Sequence, residues 1–268
     1  MTPPSGKRSA PRRVLGFIRI ALLGLSARLI PPVTRWAGLR SFRDHHFYSP
    51  VLNSMSEVWD LGANVGDFSA LMSRHFACRS FAIEPSPQSF DAIPAVPGLE
   101  KRLAAVGSRA GEATLFLLPN SEACSLIPGF QPADAVVGEA AVAVDTFATL
   151  RAHRGRGPDL VKLDIEGAEL DVLRNLTDDE LLAVPQWTVE FHDFVSSQMR
   201  PDVEKAKARF KRLGFKDVVA GGPSNVDCLF LQSSRCGLTF AQSVALGVLR
   251  HLLLPAQSFL IRQSWPTH

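Results

Sequence analysis

The chain reads as an α/β protein organised on a mostly parallel, Rossmann-like sheet. Three observations carry that reading. Val58-Trp59-Asp60-Leu61 is a short apolar run that ends in a turn holding Gly62, Asn64 and Gly66, and Phe68-Ser69-Ala70-Leu71-Met72 then begins a helical pattern. A second strand, Arg79-Ser80-Phe81-Ala82-Ile83, ends on an acid, Glu84. Further strand patterns at Leu160–Asp164 and Gln186–His192 are separated by a helical stretch.

The first strand–turn–helix matters most, because open α/β sheets bind ligands at such turns, beyond the carboxyl ends of their strands. Gly62 and Gly66 suit positive φ or close backbone approach, and Asn64 tolerates the left-handed region. Glu84 lies eighteen residues past Gly66, close to the ~20 at which nucleotide folds place the acid that holds ribose hydroxyls. The spacing is Gly-x-Asn-x-Gly, so the Gly-x-Gly-x-x-Gly pyrophosphate fingerprint is not met. An NAD-dependent oxidoreductase is therefore disfavoured. A cofactor with a ribose and no phosphate fits better, and S-adenosylmethionine answers that description.

Asp60-x-Gly62-x-Asn64-x-Gly66, Glu84-Pro85-x-Pro87, Lys162-x-Asp164-x-Glu166-Gly167-x-Glu169 and Val189-Glu190-Phe191 occur in this order. Together they resemble the FkbM family of S-adenosylmethionine-dependent methyltransferases, from Val58 to Phe191. The resemblance implies a class I methyltransferase fold, a seven-stranded sheet whose last strand is antiparallel, with helices on both faces. It also implies O-methylation of a hydroxyl on a sugar or natural product.

In chain order, residues 1–13 lack the apolar content to pack. Val14–Ile30 is apolar, interrupted by Arg19 and Arg28, and reads as an amphipathic helix. Its longest charge-free part, Ile20–Ala27, is eight residues, against the ~20 that a membrane span needs. It covers the catalytic domain, lies on an anionic membrane surface, or is a cleaved leader. Arg35–Asn53 reads as a connector. Its adjacent His45 and His46 face opposite ways on a strand and read as a solvated or substrate-loop pair, not a metal pair.

Beyond Glu84, Gln88–Ala95 is expected to be a short helix and Leu103–Gly107 the third strand with its exit, where Ala105 and Val106 touch the adenine. Ala113–Leu118 and Ala141–Val144 read as an added hairpin. Ser125, in the loop between them, reads as a capping serine or a ligand contact, and Asp145 as a helix N-cap. Strand four is Leu160–Asp164, Gly167 turns into a helix over Ala168–Asn175, and strand five is Gln186–His192. Asp202–Leu213 is helical, with Val203, Ala206, Phe210 and Leu213 on one face. Phe215–Val219 and Asp227–Leu231 supply the last strands. Leu238–Ile261 is a second apolar, acid-free helical extension. The expected organisation is thus a basic tail, helix and connector over 1–50, the cofactor-binding domain over 51–234, and a C-terminal helical extension over 235–268.

At 268 residues the chain suits one full α/β domain with extensions. The net charge of +3 hides a division. Residues 1–50 carry nine Lys or Arg against one acid, residues 51–234 carry seventeen against twenty-five, and the last 34 add three bases and no acid. An acidic middle argues against a nucleic-acid substrate. The four cysteines form no Cys-x-x-Cys pair, so a reduced cytoplasmic setting is expected, peripheral to a membrane if the basic ends bind one. No zinc pattern is visible.

For chemistry, Glu84 is expected to accept both ribose hydroxyls. Gly62, Asn64 and Gly66 are expected to approach the aminocarboxypropyl arm, and Asp60 to face its ammonium. Lys162 and Asp164 share one strand face, Glu190 and His192 another. Lys162, buried, is expected to pair with Glu190. Methyl transfer to an alcohol needs alignment and a proton acceptor. His192 is the candidate base, being neutral near pH 7. Asp164 is its rival as base, cofactor contact, or divalent-cation ligand with Glu190. Glu166, in the turn, joins them as a catalytic candidate, while Glu169 suits the helix start. A divalent cation is possible, but the motif does not establish a cage. A catalytically inactive cofactor-binding or membrane-associated scaffold stays open as an alternative. The acceptor and oligomeric state are not legible.

Overall fold

A computed structural model describes residues 34–43, 45–120, 123–219 and 225–248. The Val14–Ile30 helix and the part of the C-terminal extension past residue 248 lie outside the described residues. The supposed connector instead contains a hairpin, β1 (Leu39–Phe42) with β2 (His45–Tyr48), paired antiparallel and followed by a 3-10 turn at Ser49–Val51. Then come β3 (Glu57–Leu61), α1 (Asp67–Phe76), β4 (Arg79–Glu84), α2 (Pro87–Ala92), β5 (Leu99–Leu103) and β6 (Ala105–Val106). β7 (Gly111–Leu117) and β8 (Gly138–Asp145) precede α3 (Phe147–Arg154), β9 (Leu160–Leu163), α4 (Glu169–Asn175) and α5 (Asp178–Ala183). The chain continues through β10 (Gln186–Val189), α6 (Arg200–Arg212), β11 (Phe215–Val219), β12 (Cys228–Gln232) and α7 (Phe240–Val248).

Seven strands form one sheet in the order β11-β12-β10-β9-β3-β4-β5, with β12 antiparallel to both neighbours. From β3 the chain winds outward to β5, then returns to β9 and winds the other way. The switch point therefore lies between β3 and β9, and the crevice at their carboxyl ends is where such sheets bind ligands. The added hairpin is present: β7 pairs with β8, and β6 joins β8 as a third strand.

Strand alternation divides the core into two faces. Trp59, Leu61, Phe81, Val161, Leu163, Trp187 and Val189 pack against α3, α4, α5 and α6. Val58 and Leu160 pack on α1 and on Phe47 of the hairpin, and Leu229 and Leu231 on Leu39, Tyr48 and Leu246 of α7. The hairpin thus covers sheet surface beside α1. Cys78 and Cys228 are buried, as expected of small core residues.

Two local expectations are corrected. Asp145 does not cap α3: Thr146 does, accepting from Thr149 N in a reciprocal capping box, while Asp145 ends β8 and pairs with Arg102. His45 and His46 do face apart, but they are not a solvated pair. His45 is 4% exposed and lies beside Asp164; His46 pairs with Asp227. Among the described residues no helix is long and apolar enough to cross a membrane.

Candidate active site

The turns after β3, β4 and β9 enclose a cavity of about 270 Å³ at the switch point. Its floor is the β3–α1 turn. Gly62 has φ +81, Asn64 +48 and Gly66 +76, and Gly62 and Ala63 donate to Ile83 O, both at 3.0 Å. A Cβ on Gly62 would stand 1.7 Å from Asp164 O, and one on Gly66 would stand 2.7 Å from Ile93 Cγ2. These glycines are therefore demanded by packing of one turn against its neighbours.

Glu84 stands at the tip of β4, 5% exposed. Its Oε2 accepts from Asn64 N at 2.7 Å and its Oε1 from Ser86 N at 2.9 Å. A carboxylate has about four acceptor sites, so each oxygen keeps one for a further donor. Burial raises its pKa to about 7, and the two backbone bonds only partly oppose this. Ala105 and Val106, both buried, form the adjoining wall. Leu115, Cys124 and Leu126 from the added hairpin and its loop complete that wall, and sequence reasoning had not assigned them.

Asp60 is fully buried and does not line the cavity. Its Oδ2 accepts from Ser69 Oγ at 2.8 Å and Ser69 N at 3.2 Å, tying β3 to the first turn of α1. Lys162 is 3.2 Å from both Asp60 Oδ1 and Asp164 Oδ2 and donates to Gly62 O at 2.7 Å. The expected Lys162–Glu190 pair is thus replaced. The reason is register: Lys162 sits directly beside Asp60 on β3 and beside Thr188 on β10, which leaves Glu190 two residues further along. Burial works against the Lys162 charge, but Asp164 and Asp60 outweigh it and raise its pKa. For Asp164 burial likewise opposes the charge, and Lys162 with the nearby histidines more than offsets it, holding the carboxyl below its ordinary range.

His192 does not line the cavity. It is clamped behind the wall, Nδ1 3.1 Å from Glu169 Oε1 and Nε2 3.2 Å from Glu166 Oε2. Burial favours the neutral ring, yet Glu169 and Glu166 prevail and push the pKa up to about 11. The neutral imidazole expected of a base near pH 7 is therefore not what this geometry holds. Glu169 does more than favour a helix dipole: fully buried, it accepts from Ile165 N at 2.9 Å and Gly167 N at 3.1 Å. Glu166 takes φ +54, rare for a residue with a side chain. Ser125 holds it there, donating to Glu166 O at 2.6 Å.

Facing the cavity at this end are Asp164, Glu166, Glu190 and His45. Burial and the charges of Asp164 and Glu166 lift Glu190 well above the usual carboxylate range. His45 was missed because its strand lies outside the motif-bearing region and only the hairpin fold carries it back.

The family model of the methyltransferase FkbM domain matches residues 60–216. The chain belongs to the FkbM methyltransferase family. It is an enzyme of the class I methyltransferase fold with S-adenosylmethionine as cofactor. The methyltransferase sdnD of Sordaria araneosa is 30% identical over 199 residues, covering 61% of this chain and 76% of that protein. The hexuronic acid methyltransferase AglP of Haloferax volcanii is 29% identical over 145 residues, covering 50% of this chain and 55% of its own length. A fibrillarin from Aeropyrum pernix with bound S-adenosyl-L-methionine aligns over 75% of this chain and 72% of its own, at 16% identity and a TM-score of 0.40.

The residues present fit the cofactor. Glu84 offers two free acceptor positions beside a backbone turn, apolar side chains adjoin it, and the lining is rich in acids, which suits a cationic sulfur and an ammonium.

Proposed function

We propose that this FkbM-family enzyme methylates a hydroxyl on a small molecule, a sugar, glycoconjugate or other natural product. The observation that carries the proposal is one cavity with two chemistries: Glu84, disposed to hold a diol, at one end, and the Asp164, Glu166 and Glu190 carboxylates at the other. The hexuronic acid methyltransferase among the relatives supports a sugar acceptor.

Bound here, the cofactor supplies a methyl activated by positive sulfur. Glu84 accepts the ribose hydroxyls, and Ala105, Val106, Leu115 and Leu126 border the adenine. The Gly62–Gly66 turn, with Asn64, borders the amino-acid arm. Asp60 acts through Lys162 and Ser69, keeping that turn in shape, and is a positioning residue. On the acceptor side, Asp164 stays ionised and orients the hydroxyl in line, which supplies much of the rate. Glu190, which lines the same end of the cavity, takes the hydroxyl proton, a step worth ~10²–10⁴-fold. Glu166 lines the acceptor end, and His192 fixes Glu166 and Glu169.

Calorimetry with S-adenosylmethionine tests the cofactor half. Glu84→Ala removes two charge-assisted bonds of ~1.5–3 kcal/mol each, so affinity should fall by roughly 100-fold or more. An unchanged affinity would reject Glu84 as the ribose ligand. Labelled methyl transfer to a panel of uronic acids and neutral sugars tests the acceptor half, and no incorporation into either would turn the proposal towards non-sugar products.

A further inference from the structure

We infer that His45, Asp164 and Glu190 hold a divalent cation at the acceptor end of the cavity; this rests on the O-methylation reading above. Each offers one ligand atom, and these atoms lie within 4.8 Å of one another. That spacing can be bridged by one ion with bonds of ~2.0–2.6 Å after small side-chain movements.

Three independent features of this trio point to a cation. First, the three come from separate elements: His45 from the hairpin, Asp164 from the turn after β9 and Glu190 from the tip of β10. Secondly, His45 is buried, its ring set edge-on against Phe68 with centroids 5.9 Å apart. Its Nε2 is 3.4 Å from Asp164 Oδ2, and its Nδ1 has no hydrogen-bond partner among the described residues. A buried imidazole with one nitrogen unsatisfied is costly, and an imidazole nitrogen is a common metal ligand. Thirdly, the lining is over-supplied with acid. Asp67, Glu84, Asp164, Glu166 and Glu190 face Lys162 and, at the mouth, Arg43, itself 2.6 Å from Asp67. Lys162 is shared with Asp60 behind the wall, so it does not neutralise the acceptor end alone.

A second group, Asp164, Glu169 and His192, has similar spacing. There the His192 nitrogens lie against Glu166 and Glu169, at 3.2 and 3.1 Å, and the ring does not line the cavity, so that group does not face the acceptor.

One imidazole and two carboxylates, with positions left open, suit a divalent ion such as Mn²⁺ or Mg²⁺. Such an ion would bind the acceptor oxygen and make the hydroxyl more acidic. With such an ion bound, Glu190 would accept the hydroxyl proton while the alcohol oxygen takes the methyl group from sulfur, which would leave as a neutral thioether.

The test uses the full chain stripped with chelator. MnCl₂ is titrated in while the paramagnetic resonance signal of free Mn²⁺ is followed. The expected result is one Mn²⁺ bound per chain, weakened at least ~10-fold by His45→Ala and by the near-isosteric Glu190→Gln. No Mn²⁺ bound by the wild-type chain at millimolar concentration, or equal binding by wild type and both variants, overturns the site. S-adenosylmethionine affinity measured in EDTA separates the two levels. Retained cofactor binding without Mn²⁺ binding removes the cation site alone, whereas wild-type protein that binds no cofactor removes the reading beneath it as well.

Discussion

Glu84→Gln isolates the electrostatic cost of the cofactor site. Burial moves the Glu84 pKa from an ordinary 4.5 to about 7. Between those values the unfolded chain has released the proton and the folded chain still holds it. Stability therefore falls as pH rises through this window. At 1.36 kcal/mol per pH unit the loss is about 3 kcal/mol by pH 8. Glutamine cannot titrate, and other groups contribute equally to both proteins, so they cancel in the difference. The assay is urea unfolding of wild type and Glu84→Gln from pH 4.5 to 8. The wild-type-minus-variant stability should decline by about 3 kcal/mol across the range, so the variant gains on wild type in alkaline buffer while losing cofactor affinity. A difference flat to within about 1 kcal/mol would refute the argument that this acid is strained by burial. Cofactor hydroxyls donate to the ionised form, so affinity should itself weaken as pH drops below 7.

The remaining predictions concern the groups around that acid. Gly62→Ala places a methyl 1.7 Å from Asp164 O at φ +81; a loss above ~3 kcal/mol is expected from the clash plus left-handed strain, and near-wild-type urea stability would show that the turn can shift. Lys162→Met strands Asp60 in the core and should cost about 3–5 kcal/mol; adding Asp60→Asn should recover part of it, and a double variant no more stable than the single would contradict the pairing. His192→Gln should lower stability at pH 7. The His192 contribution is complete below its unfolded value of 6.5 and fades as pH climbs towards about 11, so the gap between the proteins should narrow in alkali. If the variant instead abolished a limb near pH 6.5 in the wild-type kcat profile, His192 would be a titrating base after all.

Much of this molecule was legible before folding because the information was local. The Asp60–Gly66 turn, the Glu84 strand tip and the acids after Lys162 each lie within a few residues of a strand end, where alternation and turn chemistry decide direction. The strands β3, β4, β9 and β10 and the added hairpin followed from such signals, whereas the third parallel strand lies at Leu99–Leu103, ahead of the expected Leu103–Gly107, and β1 with β2 was not foreseen. What sequence reading misjudged was non-local. Lys162 found Asp60 because β9 pairs with β3 in a register no local pattern states. His192 was given the ordinary protonation of an imidazole, and only the arrival of Glu166 and Glu169 on both of its nitrogens changes that. His45, isolated in a short hairpin, reaches Asp164 only through packing over the sheet. Backbone shape and strand-tip acids are thus determined by neighbouring residues along the chain. Charge state and partnership are settled by which distant groups share a buried, poorly screened space, and the tertiary structure alone decides that.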